Sequence, residues 1–155
     1  MALRQSKQVV NRVPVPSLDG ANCFTPIQAE YVVPTGGIPV NDVVEMFGID
    51  PNMRVVDAVV HNTAAGASAT ADFGYISGSY GVTTGAARTC GNEFGAAIDM
   101  NSTAPKRLSK SVTAEPTAAS GNLTDPTVGW GFKVTGATWA AGTIIRATLY
   151  VASVV

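Results

Sequence analysis

The sequence predicts an all-β, jelly-roll-like β-sandwich with an extended N-terminal arm. Three observations predict it. Five segments alternate apolar and polar residues with period two: "MRVVDAVVHN", "ADFGYIS", "NEFGAAIDM", "VGWGFKV" and "TIIRATLYV". Loops rich in Gly, Ala, Ser and Thr separate them, which is the punctuation of short antiparallel strands. Six of the nine prolines (Pro14, Pro16, Pro26, Pro34, Pro39 and Pro51) precede residue 52, and that density forbids long helices.

Residues 1–30 read as the arm and 31–155 as the sandwich. The first three charges of the arm, Arg4, Lys7 and Arg12, are all basic, and no acid appears before Asp19. Its prolines keep it extended, so the arm is expected to lie outside the sandwich and be pinned by an acidic neighbour. "NDVVEMFGI" admits two readings. Asp42 and Glu45 have the spacing of a capping box, whereas the bracketing Pro39 and Pro51 and the β-branched residues suit a strand; the strand is adopted.

The faces of the strands follow from parity. In "MRVVDAVVHN" alternation places Val56, Ala58 and Val60 on one face, opposite Asp57 and His61. Phe73 and Tyr75 share a face, as do Phe94, Ala96, Ile98 and Met100. Val128, Trp130, Phe132 and Val134 share another. "APKRLSKSV" (104–112) reads as a short helix or an exposed basic loop. In the last strand Ile145, Ala147, Leu149 and Val151 oppose Ile144, Arg146, Thr148 and Tyr150. A strand this apolar is expected to be fully packed within one sheet, with Arg146 marking the side that meets solvent or a neighbour. The polar faces are small: Gly74, Gly95, Ala97, Gly129 and Gly131. Two explanations stand open, tight packing with bulges or an outer face covered by a neighbouring molecule.

Composition bounds the function. The 155 residues form one domain, with 46% hydrophobic residues, 14% charged residues and a net charge of −1. So few charges leave little repulsion between copies, and the chain is expected to live in contact with other proteins. No secretory signal is expected to precede Cys23 and Cys90, which read as free, partly buried thiols in a reducing compartment. No apolar run approaches the ~18 residues that span a bilayer, so no membrane partner is expected. His61 is the sole histidine, too few for a jelly-roll metal centre and without a serine partner for a triad. Asp57 and His61 share a strand face but lie four residues apart, roughly 13 Å. No enzyme, cofactor or metal is therefore expected. The basic residues Lys106, Arg107 and Lys110 are not interleaved with aromatics that stack bases, so nucleic acid is not an expected partner. A sugar-binding module needs exposed aromatic platforms, and Trp139, in the turn "GATWAAG", is the candidate.

Two stretches carry a family resemblance: "EYVVPTGGIPVNDVVEMFGIDPNMRVVDAVVHN…ADFGYISG" and "VTGATWAAGTIIRATLYV". The chain resembles the small head decoration (cement) proteins of tailed bacteriophages. It has their proline-flanked entry strand, a "proline–x–x–R/K-V-V-D-A" strand from Pro51 to Ala58, and a "vGy" strand at Phe73, Gly74 and Tyr75. A closing "G-A-T…G-T-I…Y-V" strand pair completes the likeness. It covers roughly residues 30–155 and rests on turns and alternation. The resemblance implies a jelly-roll-like sandwich on the capsid exterior, made in the host cytoplasm, with the major capsid protein as partner. It further implies a homo-oligomer, dimer or trimer, that bridges coat subunits. Arg4, Lys7, Arg12, Trp139 and Arg146 are the candidate contacts. The alternative is a receptor- or carbohydrate-binding module of a phage tail or head fibre.

Overall fold

The computed structural model describes residues 3–10, 24–51, 53–82, 88–108 and 128–153. The strands are β1 (Leu3–Gln5), β2 (Phe24–Val32), β3 (Val43–Ile49), β4 (Met53–Asn62), β5 (Ala69–Ser79), β6 (Gly95–Asp99), β7 (Lys106–Leu108), β8 (Val128–Gly136) and β9 (Ile144–Ser153). One helical turn, α1 (Lys7–Val10), follows β1. Two sheets form, in the orders β1-β3-β8-β5-β6 and β2-β9-β4-β7.

Every pairing among β2 to β9 is antiparallel. The chain changes sheet at every connection between consecutive strands except β5–β6. Eight strands in that order make a jelly roll, the predicted fold. β9 lies between β2 and β4, and Ile145, Leu149 and Val151 are fully buried. Each such side chain contributes roughly 1.5–3 kcal/mol on leaving water. The last strand is thus held in the middle of a sheet.

Rings fill the space between the sheets. Trp130 of β8 packs against Phe47, Phe73 and Phe94 with centroids 5.7–5.9 Å apart. Phe132 contacts Tyr31, Phe73 and Trp139. Burial raises the Tyr31 pKa, although its hydrogen bond with Arg4 opposes the shift.

Four expectations need correction. The first is the arm. Leu3, Arg4 and Gln5 pair in parallel with Val43, Val44 and Glu45, so β1 extends the five-stranded sheet. Ser6 then caps α1: its Oγ accepts from the N–H of Val9 at 3.3 Å and donates to the Met46 carbonyl at 2.8 Å. Val9 is buried. At the other end of the supposed arm, β2 begins at Phe24, inside the span to residue 30. A three-residue parallel strand leaves no period for sequence reading to detect.

The second correction concerns β4, which carries a β-bulge between Val55 and Asp57. The extra residue shifts parity, so Val55 is buried and Val56 is 46% exposed. Third, β6 starts only at Gly95. Phe94 and Met100 flank it and are buried, whereas Ala96 is exposed, and Ala97 has φ +49°, which breaks the alternation. Fourth, within 104–112, Lys106–Leu108 form β7, paired with Ala58–Val60, and residues 109–112 lie outside the described set.

Candidate interaction surface

The two sheets present very different outer faces. On the five-stranded sheet the small residues are spaces filled by the chain itself. A Cβ on Gly129 would strike the Glu45 carboxylate, one on Gly74 would strike Glu93 and the Gly91 backbone, and one on Gly131 would strike the Val44 carbonyl oxygen. Tight packing within the molecule therefore accounts for these three glycines, in place of cover by a neighbour.

Residues 88–93 supply much of that cover. Arg88 and Glu45 form an ion pair, Nη2 to Oε1 at 2.6 Å, with side chains 7% and 0% exposed. Glu45 Oε2 accepts from the N–H of Gly81 at 3.0 Å and from Gln5 Nε2 at 3.2 Å. Arg88 Nε donates to the Ser77 carbonyl at 2.5 Å. Neither residue stands out for this role in the sequence. Glycines at Gly78 and Gly129 beside a lone Glu in an apolar strand were the available signal. Cys90, a free thiol, lies in the same segment. Burial, reinforced by the carboxylates of Glu93 and Asp72, pushes its pKa up, so it is poorly suited to act as a thiolate. Cys23 lies outside the described residues.

The four-stranded sheet has an open outer face. Register sets its rows: Glu30–Arg146–His61, Gln28–Thr148–Val59–Arg107 and Pro26–Tyr150–Asp57, with Val32–Ile144 at one end and Phe24–Ala152–Arg54 at the other. Arg146 Nε is 2.7 Å from Glu30 Oε2, and Arg107 Nε is 3.0 Å from Asp57 Oδ2. Exposed pairs of this kind contribute about 0–1 kcal/mol each, so they shape the surface more than they hold the fold. A shallow groove of ≈ 460 Å³ runs across it, lined by Gln28, Glu30, His61, Arg146 and Thr148. Phe24 (65% exposed), Val32 (41%) and Tyr150 (37%) stand on this face with Val56.

The expected contact residues scatter. Arg146 stands on the open face, 67% exposed. Arg4 is engaged by its own chain, with Nε 3.0 Å from Asp42 Oδ2. Lys7 lies in α1 with its side chain outside the described set, and Arg12 lies outside it altogether. Trp139 is a correction: it is fully buried and stacks on Phe132 at 5.0 Å. Its turn folds back onto Ile38 by mutual backbone hydrogen bonds, which carries the indole into the core. Of the basic cluster, Lys106 is also occupied, and Lys110 lies outside the described residues. Lys106 Nζ donates to Asn62 Oδ1 at 2.8 Å and to the carbonyls of Ser102 and Ala104, and burial lowers its pKa against the opposing pull of Asp99.

Asp57 pairs with Arg107, away from any dyad with His61. Among the described residues no three His, Cys, Asp or Glu side chains gather in a metal-binding group, and no helix is long and apolar enough to cross a membrane. What the described residues build is a jelly-roll sandwich with one face closed by its own chain and one face open.

No family model matches the chain, and no curated protein matches it. Among solved structures, a chain of the capsid of Ralstonia phage GP4 has the same fold, with a TM-score of 0.79 and 24% sequence identity over 99% of both chains.

Proposed function

We propose that this protein is a virion component, a capsid decoration or cement protein that binds the outer capsid surface and stabilises it by bridging coat subunits. The observation that carries this reading is the end-to-end structural match to a chain of a phage capsid. The likeness spans 99% of both chains. Low charge and an open sheet face also suit a chain that works by contact. The protein is made in the host cytoplasm, reaches the capsid exterior, and sits there as a homo-oligomer, dimer or trimer, against the major capsid protein. Arg146, Lys7 and Arg12 are basic contacts to the coat. The burial of Trp139 deprives the sugar-binding alternative of its aromatic platform.

Capsids carrying and lacking the protein provide the test. Cement action predicts that added protein binds stoichiometrically to bare capsids and raises their thermal disruption temperature. Failure to bind, or binding with no change in disruption temperature, refutes the reading.

A further inference from the structure

We propose that two surface segments of the five-stranded sheet form one coupled device, and that they fasten and loosen together through the carboxylate of Glu45. The first is the N-terminal strap, β1 with α1, a three-residue parallel edge strand and a single helical turn. The second is the stretch that leaves β5, of which Ser79–Val82 and Arg88–Gly91 are described. Some 70 residues separate them in sequence, and Glu45 belongs to neither.

The position of Glu45 makes it the bridge. Val44 and Met46 of β3 join the core, so alternation turns the side chain of Glu45 to the outer surface of the sheet. It is nevertheless fully buried, because both segments reach it. Gln5 Nε2 donates to Oε2 at 3.2 Å from the N-terminal strap, and the Gly81 N–H donates to the same oxygen at 3.0 Å from the second segment. Arg88 pairs with Oε1 at 2.6 Å. Gly129 leaves room for the pair: a Cβ there would strike the carboxylate and come within 3.0 Å of Arg88 Nη2. Each segment also has anchors of its own. Arg4 pairs with Asp42, and Ser6 Oγ donates to the Met46 carbonyl. Arg88 donates to the carbonyls of Ser77 and Gly78, and the Ser77 N–H donates to the Thr89 carbonyl.

Coupling follows from the exclusion of water. An ion pair shielded from solvent attracts far more strongly than one on a wet surface. Lifting the N-terminal strap withdraws Gln5 and lets water reach Glu45. The wetted carboxylate then holds Arg88 and the Gly81 N–H less firmly, and the second segment loosens. Lifting the second segment wets the same carboxylate and weakens its hold on Gln5. A coupling free energy acts equally in both directions, so a partner that grips either segment is felt at the other.

Hydrogen exchange of individual amides in the full chain tests this. Ser6→Ala loosens the N-terminal strap without touching the Glu45 carboxylate, because it removes the Ser6 Oγ bonds to the Met46 carbonyl and the Val9 N–H. It should speed exchange at Val9 and Val10 and, through Glu45, at least fivefold at Ser77 and Gly81. Gly78→Ala strains a backbone with φ +80°. It should speed exchange at Ser77 and Gly81 and, in the reverse direction, at Ser6 and Val10, whose N–H groups bond to the carbonyls of Glu45 and Ser6. Ala65 and Trp139, whose N–H groups bond to the Met100 and Ile38 carbonyls, are the controls and should keep the parent rate in both variants. A variant that leaves the far segment at the parent rate overturns the coupling. Controls that speed up by the same factor as the far segment overturn it as well, since the whole domain is then opening and the two segments are no device of their own.

Discussion

Replacing Arg88 by methionine should cost far more than the loss of one surface charge. Glu45 is fully buried, and its carboxylate has Arg88 for its counter-charge at 2.6 Å. The remaining contacts of Oε2, the N–H of Gly81 and Gln5 Nε2, are neutral. Removing one partner of a buried ion pair strands the other, at a cost of about 3–5 kcal/mol. In a domain of this length each kcal/mol corresponds to roughly 2–4 °C in melting temperature, so the drop should be about 6–20 °C. Arg88 also ties down three carbonyls, Ser77, Gly78 and Val82, so the damage should centre on the end of β5. Urea unfolding followed by tryptophan fluorescence measures it, since Trp130 and Trp139 are both fully buried. The double variant Arg88→Met/Glu45→Leu tests the cause: with no charge left behind, it should be more stable than Arg88→Met alone. If the single variant loses less than about 1 kcal/mol, or the double is no better than the single, the stranded-charge argument is wrong.

Two further outcomes follow from the packing. Gly131→Ala should destabilise the chain by at least about 1–3 kcal/mol, because its Cβ would collide with the Val44 carbonyl of the neighbouring strand; Gly36→Ala, which meets nothing within 4 Å, is the control, and denaturation midpoints compare them. Cys90 should resist iodoacetamide in the native protein and react on unfolding. Its native pKa is raised above the ordinary value of 9.0, so the native state keeps a proton that the unfolded state releases, and its contribution to stability should be present below pH 9 and lost as pH rises above it. Alkylation kinetics read the first effect, and unfolding at pH 8 and 10 in parent and Cys90→Ala chains reads the second.

Local pattern determined a good deal about this protein. Alternation in "VGWGFKV" and "TIIRATLYV" was enough to assign Trp130, Phe132, Leu149 and Val151 to the core, because a side-chain period of two puts successive residues on opposite faces whatever the sheet order. Pro39 and Pro51 with the β-branched run decided "NDVVEMFGI" as a strand. The same rule explains the errors. One inserted residue at Val56 reverses parity, and a left-handed backbone at Ala97 ends it; neither leaves a mark in composition. Only the tertiary structure could show that Trp139 folds inward, since its environment is built by Ile38 and Phe132 from other parts of the chain. The open face likewise depends on which strands become neighbours: Glu30, His61 and Arg146 are far apart in sequence and meet only because β9 inserts between β2 and β4. The small residues Gly74, Gly129 and Gly131 announced a close approach without saying by what. Long-range packing answered that, by laying Glu45, Glu93 and a strand backbone into the space a side chain would have taken.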